Sequence, residues 1–120
     1  MKVLVGSSVG RANKDFDSEY KFKLATNDGA EFTAANMPDF TADFYVENRA
    51  TERHTASFLE GVKTGCSIDT DGTITAHIPG ETFTGAGRLF LEIKTSTLSE
   101  NFADTSFDDY VLIDTGKEVV

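Results

Sequence analysis

The feature that most constrains this chain is the stretch from Cys66 to Ile93, CSIDTDGTITAHIPGETFTGAGRLFLEI, which reads as strand, tight turn, strand, glycine-rich connection and strand. Ile74, Ala76 and Ile78 recur at every second position, as do Leu89, Leu91 and Ile93, and Ile68 stands before them. Successive side chains of an extended strand point to opposite faces, so this spacing marks half-buried strands; a helix needs apolar residues three and four apart. Asp71-Gly72 predicts a type I′ turn, in which glycine supplies positive φ without steric cost. Pro79-Gly80 ends the next strand, because proline has no N–H for the ladder. Gly85 and Gly87 then lead into the third strand.

The same alternation recurs along the chain. Phe16, Ser18, Tyr20, Phe22 and Leu24 face one way, and Asp17, Glu19, Lys21 and Lys23 the other. Asn27-Asp28-Gly29 predicts a hairpin with Phe32 on the return strand. Phe40, Ala42, Phe44 and Val46 again point inward. Asn48 to Thr55 reads as a charged loop, Ala56 and Phe58 as a short strand, and Gly61 and Gly65 as brackets of a turn. Ser96 to Ser106 is a polar loop, followed by a last strand ending at Ile113 and a turn over Asp114 to Lys117. The expected core holds Tyr20, Phe22, Leu24, Phe40, Phe44, Val46, Ile68, Ile74, Ile78, Leu89, Leu91 and Val111. Short strands separated by turn signals about every ten residues indicate an all-β, antiparallel β-sandwich of about 7–8 strands.

The first 14 residues differ in character. Val3 to Val5 suit a short strand, while Gly6 to Lys14 is small, polar and net basic. The expected division is therefore an N-terminal arm over 1–14 and a sandwich over 15–120. Such an arm becomes ordered against a neighbouring subunit: Val3, Leu4 and Val5 add a strand to its sheet, and Arg11 and Lys14 meet acidic groups. These five residues are the expected partner-binding set. The apolar run at the N-terminus is too short for a signal peptide, and nothing approaches a membrane span.

Charge narrows the partners. Lys and Arg number 11 against 20 Asp and Glu, a formal net charge of −9. That argues against nucleic acid, whose affinity rests on neutralised phosphates, and against an anionic membrane surface. The single cysteine, Cys66, allows no intramolecular disulfide and lies at an inward strand position, where a thiol acts as a small hydrophobe. A reducing compartment, or a particle assembled inside a cell, fits.

No catalytic constellation is expected. His54, His77 and Cys66 match no zinc spacing, and no base is oriented toward the thiol. Asp69-Thr70-Asp71-Gly72 resembles the start of a calcium loop, but a strand follows where further ligands are needed. Glu100, Asp104, Asp108 and Asp109 form an acidic loop cluster that reads as a solvated loop. Gly85 and Gly87 precede a strand, whereas a phosphate-binding loop opens a helix. The sequence thus predicts no enzyme, no metal site and no cofactor. Outward Tyr45, Phe90 and Tyr110 leave a carbohydrate-binding sandwich as one alternative.

A family resemblance sharpens this picture. The segment KDFDSEYKFKLATNDGAEFTAANMPDFTADFYVE resembles the opening of the immunoglobulin-like N-terminal domain of phage baseplate upper proteins. It is similar also to adaptor domains of structural proteins in phages of gut Bacteroidetes, including head-fibre proteins of crAss-like phages. The matching elements are "G-x-x-F" at Gly29 to Phe32, "F-x-x-x-F-Y" at Phe40 to Tyr45, "D-x-D-G" ending at Gly72, and "G-x-G-x-L-x-x-E" at Gly85 to Glu92. The closing strand Tyr110 to Ile113 with Thr115-Gly116 completes the pattern. The resemblance implies an immunoglobulin-like fold and a non-enzymatic virion role: a capsid auxiliary or decoration subunit or head-fibre adaptor, alternatively a baseplate or tail-fibre adaptor. Implied partners are the major capsid protein or fibre and baseplate subunits, and further copies of the chain as a homo-oligomer. Relatives often continue into a fibre or coiled coil, and this chain stops at Val120, so a stand-alone subunit is the expectation.

Overall fold

The computed structural model describes residues 2–5, 11–12, 17–26, 28–47, 52–95 and 110–119. Its strands are β1 (Lys2–Val5), β2 (Arg11–Ala12), β3 (Ser18–Ala25), β4 (Phe40–Val46), β5 (Arg53–Leu59), β6 (Val62–Thr64), β7 (Cys66–Ile68), β8 (Ile74–Ile78), β9 (Gly87–Thr95) and β10 (Tyr110–Val119). They form a four-stranded sheet in the order β1-β3-β8-β7 and a six-stranded sheet in the order β2-β10-β9-β4-β5-β6. Every described pairing of named strands is antiparallel except β2 with β10, which run parallel. The fold is all-β.

The two sheets share one core because each presents an apolar face. From β3 come Tyr20, Phe22 and Leu24; from β4 Phe40, Ala42, Phe44 and Val46; from β8 Ile74, Ala76 and Ile78; from β9 Leu89, Leu91 and Ile93. The contact between sheets is aromatic. Tyr20 meets Phe44 edge-on with ring centroids 5.8 Å apart, and Phe22 meets Phe40 at 6.2 Å. Edge-to-face geometry brings the positive rim of one ring to the negative face of the next. Met37, Phe83, Ala56 and Val119 complete the buried cluster. The expected core residues are buried, except Ile68, which is half-buried against the cluster. The side chain of Val111 lies outside the described residues.

Several local readings change. The turn after Asp69 is not type I′, which needs positive φ at two successive residues; only Gly72 has it, at +93°. Asp69 N–H donates to the Thr73 carbonyl at 2.9 Å, and Gly72 N–H to the Asp69 carbonyl at 2.9 Å. This is a three-residue loop closed by a left-handed glycine. The return after Gly29 is a single bridge, Ala25 to Glu31, instead of a strand at Phe32. Arg53 to Thr55 belong to β5, not to a loop: His54 lies on the inner side of the alternation, and its Nε2 hydrogen-bonds across to the His77 carbonyl at 2.8 Å. Asp114 to Lys117 is no terminal turn. The chain stays in β10, and the register with β9 slips between Asp114 and Glu118 in a bulge. Thr115, buried there, donates its hydroxyl to the Leu89 carbonyl at 2.7 Å.

Candidate functional site

The structure gives the expected arm residues partners within the chain. Val3, Leu4 and Val5 lie in β1, paired with Leu24, Lys23 and Phe22 of β3. Val3 also packs against the core. Arg11 lies in β2, paired with Glu118 of β10. Lys14 lies outside the described residues, as does the acidic cluster Glu100, Asp104, Asp108 and Asp109. The strand-forming part of 1–14 thus contributes to one edge of each sheet. Tyr110 is in β10, and its side chain is likewise outside the description.

The surface with the most developed side-chain chemistry is the outer face of the six-stranded sheet. Register aligns its residues in rows across the strands. Arg53, Tyr45, Phe90 and Asp114 stand opposite one another on β5, β4, β9 and β10; Thr55, Asp43, Glu92 and Leu112 form the next row. Directly opposed side chains in a sheet are close enough to interact. The Arg53 guanidinium lies 4.5 Å above the Tyr45 ring, and Tyr45 and Phe90 stack with centroids 5.8 Å apart. Arg53 Nη1 also binds the Glu92 carboxylate and lies 3.8 Å from Asp43 Oδ2. The bond to Glu92 is the main reason that the guanidinium is held above its ordinary pKa. Thr55 donates its hydroxyl to Asp43, and Arg88 Nη1 lies 3.1 Å from Asp114 Oδ2.

This face also collects exposed apolar side chains. Among the described residues the exposed large hydrophobics are Leu112, Val62 and Leu59, with 51%, 62% and 40% of their surface accessible. Leu112 lies opposite Glu92, and Leu59 opposite Val62, so alternation places all three on the outer side. The outer face of the four-stranded sheet is different, with Glu19, Lys21 and His77 pairing as Glu19 with His77 and Lys21 with Thr75.

Elsewhere the polar residues serve the fold. An open groove of about 390 Å³ at one end of β3 and β8 is lined by Asp17, Ser18, Glu19, His77, Ile78 and Pro79. Its polar groups bind one another: Asp17 accepts from Gly80 N–H at 2.8 Å, and Glu19 lies 3.1 Å from His77 Nδ1. Asp71 accepts the Thr73 N–H at 2.9 Å, which holds its carboxyl below the usual range, as a turn residue does. Cys66 is half-buried, its thiol pushed up by burial and donating to the Ser57 carbonyl at 3.5 Å. Among the described residues no group of three or more His, Cys, Asp and Glu is placed to hold a metal ion.

Comparison with known proteins finds no matching family model and no matching curated protein.

Proposed function

We propose that the chain is an immunoglobulin-like, non-enzymatic subunit of a phage particle, a capsid auxiliary or decoration protein or a head-fibre adaptor. The observation that carries the fold half of this reading is the strand order. In chain order the strands correspond to A, A′, B, C, C′, C″, D, E, F and G of a variable-type immunoglobulin domain. The sheets A-B-E-D and A′-G-F-C-C′-C″ then read β1-β3-β8-β7 and β2-β10-β9-β4-β5-β6. Such a sandwich is a scaffold, and its function lies in the surfaces it presents.

The particle half rests on the resemblance at Gly29 to Phe32, Phe40 to Tyr45 and Gly85 to Glu92. A binding role is supported further by chemistry: the most organised cluster, Arg53 with Glu92, Asp43 and Tyr45, is a network of mutually satisfied groups on an exposed face. A catalytic base needs a substrate proton to take, whereas a satisfied network positions a surface. A baseplate or tail-fibre adaptor fits the same observations. The carbohydrate-binding reading is weaker, since sugars stack on open aromatic faces. Tyr45 has Arg53 over one face and Phe90 alongside from the neighbouring strand.

The test is binding of the purified full chain to particles assembled without it, read by co-sedimentation. Saturable binding at a fixed ratio to the major capsid protein is expected for a head subunit. Saturation only on tail preparations favours the adaptor reading. Binding to neither, or turnover of a substrate, overturns the proposal.

A further inference from the structure

We propose that the edge of β10 over Tyr110–Ile113 accepts an extended, cationic segment of another protein as an added strand. The inference does not depend on the particle reading, because it rests on strand topology and charge.

The edge opens where the chain changes sheet. β2 runs parallel to β10 and is paired with it at Glu118 and Val119, through Arg11 and Ala12. Continued backward in that register, the N-terminal residues would set Val3, Leu4 and Val5 against Tyr110, Val111 and Leu112. Those three residues instead form part of β1 and pair with β3 in the other sheet. Among the described residues, Tyr110, Val111, Leu112 and Ile113 are therefore paired along β9 alone. A strand side of this kind presents N–H and C=O groups that an incoming strand satisfies.

Composition sets this edge apart from the others. Sheet edges are commonly guarded by short strands, lysine, proline or bulges. β6 and β7 have three residues each, β6 with Lys63 at its centre, and β1 starts at Lys2. Tyr110-Val111-Leu112-Ile113 holds no charge, glycine or proline, and its aromatic, β-branched and aliphatic residues suit a strand. The bulge in β10 comes only after Asp114. Leu112 faces outward with 51% of its surface accessible, and Ile113 packs inward against the core. By alternation an added strand puts one apolar residue beside Leu112 and the next beside Ile113. Main-chain bonds then supply affinity and these side chains specificity.

Charge selects the rest of the occupant. The chain carries −9, so at long range a cationic segment is attracted and an acidic one repelled. A second copy brings the same −9 and is opposed. Tyr110–Ile113 supply no charge, and the next carboxylate on β10, Asp114, already has Arg88 Nη1 at 3.1 Å. The cations of the segment therefore belong at its ends, flanking an apolar centre.

The peptide acetyl-Thr-Lys-Val-Val-Val-Lys-Thr-amide tests this. Its sequence reads the same in both directions, so it offers valine to Leu112 in parallel or antiparallel pairing. The isotope-labelled full chain, held at one concentration, is titrated with the peptide to about 2 mM and followed by NMR. Saturable shifts of the 110–113 amides are expected, with a dissociation constant below about 1 mM. Leu112→Lys places a charge at an exposed edge position; it should leave the rest of the spectrum unchanged and weaken binding at least about tenfold. The same peptide with glutamate in place of lysine should not bind. Shifts confined to other segments, or none, overturn the proposal, as does undiminished binding by Leu112→Lys. Equal binding of the two peptides refutes the cationic occupant. Shifts of the same amides on concentrating the chain without peptide assign the edge to a second copy and overturn the proposal. None of these results touches the particle reading, which the co-sedimentation decides.

Discussion

Gly72→Ala is the sharpest single perturbation of this fold. Gly72 has φ +93°, and a Cβ added there falls 1.9 Å from the Phe32 carbonyl oxygen and 2.9 Å from its carbon. Those atoms are backbone, so no rotamer change relieves the overlap. Either the 69–73 loop or the segment carrying Phe32 must move by more than about 1 Å, which disturbs the Ala34 N–H to Thr70 carbonyl bond at 3.3 Å. The left-handed backbone costs a non-glycine residue about 1–3 kcal/mol, and forcing atoms into packed space typically about 1–3 kcal/mol more. The sum is roughly 2–6 kcal/mol, with about 4 kcal/mol at its centre, a large part of the stability of a small domain. Gly29 is the control, because its φ is +95° and an added Cβ has nothing within 4 Å. Gly29→Ala should therefore carry the backbone cost alone. Thermal and urea unfolding followed by circular dichroism give both values. At about 3–5 °C per kcal/mol, the melting temperature of Gly72→Ala should fall by about 10–20 °C, and that of Gly29→Ala by clearly less. Equal losses would show that the Phe32 carbonyl does not approach the turn, and the reasoning would fail.

Phe44→Ala removes a fully buried ring that meets Tyr20 across the two sheets, and should cost about 3–5 kcal/mol in urea unfolding; an unchanged midpoint would take Phe44 out of the core. Cys66 should react slowly with a thiol reagent in the native state and quickly in denaturant, since burial raises its thiol pKa. Asp71 has a lowered carboxyl pKa, chiefly from the Thr73 N–H, so its stabilising contribution is present above the ordinary value of 3.8 and fades as pH falls through the lowered one. Asp71→Asn should lessen the loss of stability in that acid window, measured by melting temperature against pH.

How much of this was readable from the residues depends on whether the information is local. Strands β3, β4, β8 and β9 announce themselves because burial on one face imposes a two-residue period. The start of β5 is hidden because Arg53 and Thr55 face out and His54 is polar, so the inward side shows no apolar residue before Ala56. The bulge in β10 is hidden because Asp114-Thr115-Gly116-Lys117 has turn composition, and only pairing with β9 keeps it in the sheet. The place of the turn at Gly72 is legible but its type is not, since Asp-Gly serves both hairpin forms. The outer face escaped for the same reason as β5. Tyr45 and Phe90 read as outward on their own strands, yet Arg53, Asp43, Glu92 and Leu112 become their neighbours only through cross-strand register. Val3 to Val5 read as a short strand, but composition does not reveal that β3 is its partner.

A structural component of a phage particle, as proposed for this domain, stays with the particle through purification. Quantitative mass spectrometry of purified, nuclease-treated particles tests it most directly. The chain is expected in a fixed stoichiometric ratio to the major capsid protein or to a fibre or baseplate subunit, unchanged through density-gradient purification. Loss of the chain from particles of full infectivity, with recovery only in the soluble lysate fraction, would contradict it.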